Sequence, residues 1–132
     1  MTPTPEVDYL DPDDVEALID DEGFRFKDGA RGRRLLLSAL AAPMPVFGEE
    51  VHPTLNEKAA ALLLAVMRNH PLADGNKRLS WFVTVAILEL NGVDLVVGDA
   101  VGADRFLRRV ASGEADLDEV AAWVRDRTHA LR

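Results

Sequence analysis

The chain has 132 residues, of which 48% are hydrophobic and 29% charged, and its formal net charge is -8. A chain of this length is expected to form a single domain over residues 1–132, with a core that needs no covalent staples. The acidic balance argues against a nucleic-acid-binding surface, and the absence of cysteine excludes disulfide frameworks and thiolate nucleophiles. No apolar run reaches the ~18 residues of a membrane span, and the acidic N-terminus is unlike a signal peptide, so we expect a cytoplasmic protein with neither nucleic acid nor membrane as partner.

The first half of the chain predicts two helices. Asp11 and the proline after it form an N-cap and first-turn pair, and helical spacing of apolar residues continues until Gly23. A short extended piece is expected at 24–26, a second helix at about 33–42, and a loop at 44–53, after the prolines that end that helix. A basic cluster in this region is interpreted as a solvated surface, with a contact zone for an acidic partner as the alternative; its members are Arg25, Lys27, Arg31, Arg33 and Arg34.

The second half predicts four more helices. The segment 54–69 opens with a Thr-x-x-Glu capping box and continues apolar on all sides, as a centrally buried helix does. A second apolar helix is expected over 76–91, with a short extended stretch near 95–97. Asp99 and Asp116 are expected to cap the last two helices. The predicted fold class is therefore all-α, a compact bundle of about six helices with 54–69 and 76–91 as its central pair.

The stretch 70–78, His-Pro-Leu-Ala-Asp-Gly-Asn-Lys-Arg, connects these two central helices. The unpaired N–H groups at the start of the second helix form an anion site before any side chain is counted. Gly75 allows the backbone to approach a phosphate closely. Lys77 and Arg78 add positive charge, and an arginine can hold two phosphate oxygens at once. The stretch therefore predicts a helix–loop–helix phosphate site.

Two further side chains of this stretch extend the chemistry. Asp74 is a hard oxygen ligand suited to Mg²⁺ that bridges phosphates. His70 is the residue type suited to general-base catalysis near neutral pH. Each residue taken singly is more typical of a turn between helices. Their combination predicts transfer of a group from a nucleotide to a hydroxyl, with positioning and charge neutralisation as the main catalytic effects.

The same nine residues resemble the signature of the Fic/Doc superfamily, H-x-F-x-[D/E/N]-[G/A]-N-[G/K]-R. Lys77 stands where nucleotidyl-transferring Fic enzymes carry glycine, and this resembles the Doc (death-on-curing) branch. The flanking segments 35–43, 53–61 and 88–92 are similar to Doc-type chains too, so the resemblance covers roughly residues 8–127. It implies a compact all-α toxin of a toxin–antitoxin pair, a kinase that phosphorylates a threonine of elongation factor Tu and so blocks translation.

The resemblance also implies a role for each residue of the motif. His70 would be the base on the acceptor hydroxyl, and Asp74 would bind Mg²⁺. The phosphates of ATP would be held by Gly75, Asn76, Lys77 and Arg78. The implied cofactors are ATP and Mg²⁺, and the implied inhibitor is a cognate, Phd-like antitoxin.

Three positions depart from the family pattern. Leu72 replaces the phenylalanine that anchors the loop in the core, Leu37 stands where many Doc-type chains carry glutamate, and Trp81 follows where many Fic enzymes have a second arginine. Two alternatives remain open beside the kinase. One is a Fic-type AMP transferase, against which Lys77 argues; the other is a non-catalytic binding module of the same fold, for which Leu72 is the only support.

Overall fold

The computed structural model describes residues 6–131. Within this range the chain forms six helices and one two-stranded antiparallel sheet, which confirms the all-α prediction and adds a small sheet to it. The elements are α1 (Pro12–Asp21), α2 (Ala30–Ala41), α3 (Leu55–Asn69), α4 (Asn76–Leu90), β1 (Val93–Leu95), α5 (Ala100–Ala111), α6 (Leu117–Arg125) and β2 (Thr128–Ala130). Every helix in the described range is too short or too polar to span a lipid bilayer.

Helix α3 lies at the centre of the molecule and packs against α2, α4 and α6. Its residues 58–64 are all buried, as the run of apolar residues on every side of the helix predicts. The predicted cap is present, because the Thr54 hydroxyl accepts a hydrogen bond from the Glu57 N–H at 3.1 Å. The Glu57 carboxylate accepts from the same hydroxyl at 3.0 Å instead of reaching back to the backbone, so half of the capping box is formed.

The predicted extended stretch at 95–97 is wrong by two residues. It begins at Val93, and β1 pairs with β2 so that Asp94 lies opposite His129. The three residues of β2 carry no β-branched or aromatic pattern beyond Thr128, so the sequence did not signal this strand. Helix α2 also begins three residues earlier than expected, directly after Gly29.

The predicted loop at 44–53 contains a tight hairpin. Val46 and Glu49 exchange two backbone hydrogen bonds of 2.9 Å around a two-residue turn. Lys58 of α3 is buried beneath this segment and donates to the Pro43 carbonyl at 3.1 Å and to the Glu50 carboxylate at 2.5 Å. Burial alone would lower the pKa of Lys58, but its hydrogen bond to Glu50 and the neighbouring Tyr9 hydroxyl raise it. The lysine therefore stays charged and ties the hairpin to the central helix.

Candidate active site

The loop between α3 and α4 is held by an extended segment that precedes α2. Residues 25–27 lie antiparallel to residues 71–73 and form two backbone hydrogen bonds with them, both of 2.9 Å. Phe26 pairs with Leu72, whose side chain is completely buried. Gly32 of α2 approaches so closely that a Cβ there would lie 2.6 Å from the carbonyl oxygen before Leu72. The extended piece predicted at 24–26 is therefore present, and its partner is the motif.

His70 is the C-cap of α3 and adopts the left-handed conformation, with φ 47° and ψ 60°. A non-glycine residue in this region costs roughly 1–2 kcal/mol, and such strained residues cluster at functional sites. The turn ends α3 and leaves the imidazole exposed to solvent. The base predicted from the sequence is therefore accessible to a protein substrate.

Asn76 joins the histidine to the loop. Its side-chain Oδ1 accepts from the Leu72 N–H at 2.9 Å, and its Nδ2 donates to the Leu72 carbonyl at 2.9 Å and lies 3.2 Å from His70 Nδ1. Because both Leu72 contacts fix the amide's orientation, Nδ2 faces the ring, and His70 Nδ1 is the acceptor. The Asn76 side chain is thus occupied by partners within the loop. Only its backbone N–H, at the start of α4, remains for a ligand.

Gly75 shapes the start of α4. It is the N-cap, with φ 96°, and its N–H donates to the Asp74 Oδ1 at 2.9 Å. A Cβ at this position would lie 2.6 Å from the ring of Phe24, so only glycine fits without a shift. Among the described residues no side chain caps α4, which leaves the first N–H groups of this helix available to an anion.

Arg78 borders a cleft of about 370 Å³ that opens beside this helix start. Its Nη2 donates to the Glu22 carboxylate at 3.3 Å, and its guanidinium lies over the rings of Phe24 at 5.3 Å and Phe82 at 5.9 Å. The aromatic rings and the carboxylate together hold a side chain that is otherwise free to rotate. The other lining residues are Gly23, Arg25, Ala73, Asp74 and Gly75.

Lys77 faces a different side of α4, toward α5. Its Nζ donates to Asp104 of α5 at 2.5 Å, and the second oxygen of that carboxylate accepts from Arg108 Nε at 2.8 Å. Hydrogen bonds from Arg108 and then from Lys77 lower the pKa of Asp104 to about 2. The ammonium therefore lies in a separate pocket of about 440 Å³, whose other lining residues are Arg78, Trp81, Phe82, Val97, Ala100, Ala103 and Leu107.

The structure thus divides the predicted site residues between two pockets. Asp74, Gly75 and Arg78 line the cleft at the start of α4, whereas Lys77 lines the α4–α5 pocket together with Arg78. Arg78 is the residue common to both. His70 contributes to a third, smaller depression of about 260 Å³, against the C-terminal end of α5.

Two comparisons with known proteins bear on the family of this chain. The profile of the Fic/DOC family matches residues 9–88, which include the whole motif, helix α3 and all but the last two residues of α4. The chain belongs to the Fic/DOC family. It is similar to a protein named Toxin Doc from Mycolicibacterium smegmatis (strain ATCC 700084 / mc(2)155), with 39% identity over 117 residues that cover 87% of this chain and 89% of the relative. The resemblance inferred from residues 70–78 is therefore confirmed.

Asp74 is the magnesium ligand that the sequence predicts. Its carboxylate is exposed, and one oxygen is held by the Gly75 N–H. The described residues contain no group of three or more His, Asp or Glu side chains that could hold a metal ion by themselves. Mg²⁺ needs no such cage where one or two carboxylates and substrate phosphates complete its shell, so an exposed carboxylate just before the start of α4 fits this mode of binding.

Several residues of this Fic/DOC site were missed by sequence reasoning. Arg25 was interpreted as part of a solvated basic cluster, yet it lines the cleft beside Arg78. Glu22 and Asp104, which hold the two cations, carried no signal linking them to the motif. The i,i+4 spacing of Asp104 and Arg108 on α5 indicated that these two side chains would meet, but not that Lys77 would join them.

Proposed function

We propose that this protein is a Doc-type toxin of a toxin–antitoxin pair, a kinase that transfers the γ-phosphate of ATP to a hydroxyl of a target protein. The proposed substrate is a threonine of elongation factor Tu, whose modification would block translation. The proposed partner that restrains it is a Phd-like antitoxin, and the proposed compartment is the cytoplasm. The name Toxin Doc, carried by a relative that aligns with 87% of this chain, supports the toxin assignment.

One observation carries the proposal: a single short loop joins an exposed histidine to an uncapped helix start. Asn76 forms this connection, since its amide binds both backbone groups of Leu72 and contacts the His70 ring. A base and an anion site are thereby held on one short loop, which the buried side chain of Leu72 anchors in the core. Such positioning is the main contribution that a protein makes to phosphoryl transfer.

The chemistry follows from this arrangement. The acceptor hydroxyl oxygen forms a bond to the γ-phosphorus, the bond from that phosphorus to the ADP oxygen breaks, and the hydroxyl proton passes to a ring nitrogen of His70. Charge on the phosphoryl oxygens is balanced by the first N–H groups of α4 and by Arg78. Asp74 would hold Mg²⁺, which would supply further neutralisation of the phosphate charge.

The His70 contact with Asn76 places one requirement on this step. With Nδ1 accepting from the amide, the neutral ring carries its proton on Nε2. Proton abstraction by Nε2 therefore requires the other tautomer. The exposed ring can adopt this tautomer where a substrate group replaces the amide contact of Nδ1.

A second candidate, transfer of AMP, is favoured by the position of Lys77. Its ammonium is directed to Asp104 and away from the cleft that Asp74 and Gly75 line, so it does not fill the space beside the loop. A nucleotide could then present its α-phosphorus to His70. The kinase remains the proposal because a lysine in place of glycine at this position is the feature of the Doc branch.

The test is intact-mass spectrometry of elongation factor Tu after incubation with the protein, ATP and Mg²⁺. A mass gain of one phosphate is expected, and a His70→Ala variant should abolish it. His129→Ala is the matched control, because His129 is exposed on β2, outside the motif, and its removal should leave the reaction unchanged.

Other outcomes separate the alternatives. A gain of one AMP would replace the kinase by the nucleotidyl transferase. If elongation factor Tu stays unmodified, the same incubation is repeated on whole lysate with ATP labelled at the γ-phosphate. If labelling of another protein depends on His70, the kinase stands and only the proposed target is wrong. An unlabelled lysate would refute the kinase and favour a non-catalytic binding module.

A further inference from the structure

We infer that Asp104, held by Arg108, is a positioning residue that holds the Lys77 ammonium in the α4–α5 pocket, where Lys77 binds the nucleotide from the α5 side of Arg78. This inference rests on the proposed nucleotide-dependent function. It assigns a role to a residue outside the motif, on a helix that the family profile, ending at residue 88, does not cover.

Geometry is the first argument. The two oxygens of Asp104 accept from different cations, Oδ1 from Lys77 and Oδ2 from Arg108, so the carboxylate cannot rotate without losing one partner. Arg108 lies one turn along the same helix, and its contact favours this Asp104 rotamer within α5. The fixed carboxylate in turn holds the flexible, one-third exposed lysine of the neighbouring helix.

Charge is the second argument. Asp104 carries one negative charge, and the two cations that line the pocket with it, Lys77 and Arg78, carry two positive ones, so the lining retains a net charge of +1. An ammonium has three donors, and Asp104 Oδ1 occupies one of them. Lys77 can therefore keep its contact with Asp104 and still donate to an anionic ligand. A ligand can therefore bind Lys77 without breaking its ion pair with Asp104.

The pocket itself is the third argument. It has a volume of about 440 Å³, and its walls are mainly apolar, with Trp81, Phe82 and Leu107 among them. Its connection to the cleft at the start of α4 is Arg78, which borders both spaces. A nucleotide that reaches across Arg78 would meet Lys77 on the far side. Without the ion pair to Asp104, the flexible Lys77 side chain would populate several rotamers and would seldom have this orientation.

The experiment compares Asp104→Asn with wild type by calorimetric titration of Mg-ATP and by steady-state kinetics. We expect the Kd and KM for ATP to rise about tenfold, the scale of one well-placed hydrogen bond to a charged group, with kcat changed much less. Asp104→Glu should recover most of the affinity. Glu89→Gln is the matched control, since Glu89 is an exposed carboxylate on α4, twelve residues and about 18 Å of helical rise from Lys77.

Coupling to Lys77 distinguishes positioning from a general structural effect. In a Lys77→Ala background, Asp104→Asn should cause no further loss of ATP affinity. Independently of any nucleotide, acetylation of Lys77 by an amine-reactive ester, followed by mass spectrometry, should be several-fold faster in Asp104→Asn than in wild type. Both results are expected only if the carboxylate acts through the lysine.

Four outcomes would overturn the inference. These are unchanged or tighter ATP binding in Asp104→Asn, an equal loss in the Lys77→Ala background, no rescue by glutamate, and an unchanged acetylation rate. Wild-type protein that neither binds nor consumes ATP would refute the proposed function and the nucleotide part of the inference with it. The acetylation rate would in that case still decide whether Asp104 holds Lys77.

Discussion

Replacement of Gly75 by alanine tests whether the start of α4 has the conformation described here. The added methyl group would lie 2.6 Å and 2.8 Å from two ring carbons of Phe24, so the ring must retreat by roughly 0.8 Å to reach an ordinary contact near 3.4 Å. The backbone, at φ 96°, adds the strain of a side chain in the left-handed region, about 1–2 kcal/mol. With about 1–3 kcal/mol for the overpacking, we expect the free energy of unfolding to fall by about 3 kcal/mol.

The assay is urea denaturation at 25 °C, with Gly113→Ala as the matched control. Gly113 has φ 81° and would place its new methyl group in open space, so this variant should cost only the backbone strain, about 1–2 kcal/mol. In a Phe24→Ala background, where the ring is absent, Gly75→Ala should cost no more than Gly113→Ala does. Phe24 contacts the Arg78 guanidinium, so Gly75→Ala by itself, which displaces the Phe24 ring, should also weaken ATP binding.

Equal losses for Gly75→Ala and Gly113→Ala would refute the reasoning, since they would show that no close contact with Phe24 exists. A loss at Gly75 that persists in full without the ring would refute it as well. A loss of stability with unchanged ATP affinity would support the close contact between Gly75 and Phe24. It would refute the claim that the Phe24 ring positions Arg78 for ATP.

Three further predictions concern side chains whose partners the structure shows. Asn76→Ala leaves both backbone groups of the buried Leu72 without a partner, so the stability measured by calorimetry should fall by about 1–3 kcal/mol. An unchanged melting temperature would contradict the role of the Asn76 side chain in holding the loop. Lys58→Ala should lower the free energy of unfolding, measured in urea, by about 3 kcal/mol, because it opens a cavity and leaves the partners of a buried cation unpaired. Lys58→Met fills most of the cavity and should lose much less. Equal losses in the two variants would show that the cavity does not cause the loss. The pKa of Asp104 is lowered from 3.8 to about 2, so its ion pairs stabilise the fold above pH 4 and are lost as the pH falls toward 2. The difference in unfolding midpoint between wild type and Asp104→Asn should therefore shrink between pH 4 and pH 2, and a constant difference would contradict the lowered pKa.

The sequence by itself predicted six helices, the side-chain caps of four of them and the family. Helix α3 could be predicted because its signals are local: a capping pair three residues apart and an apolar run longer than a strand. The motif at 70–78 is equally local, since all its members lie within one connection between two helices. Residues close in the chain have few relative arrangements, so their spacing alone predicts which side chains share a turn.

Only the tertiary structure decided which partners hold the two cations of the motif. Lys77 and Asp104 are 27 residues apart, and Arg78 and Glu22 are 56 apart, so both contacts depend on how α5 and the end of α1 pack beside α4. The pairing of 25–27 with 71–73, and that of β1 with β2, depend on packing in the same way. No local spacing specifies such contacts, because the core residues that bring the elements together are distant in sequence from the polar side chains that then meet.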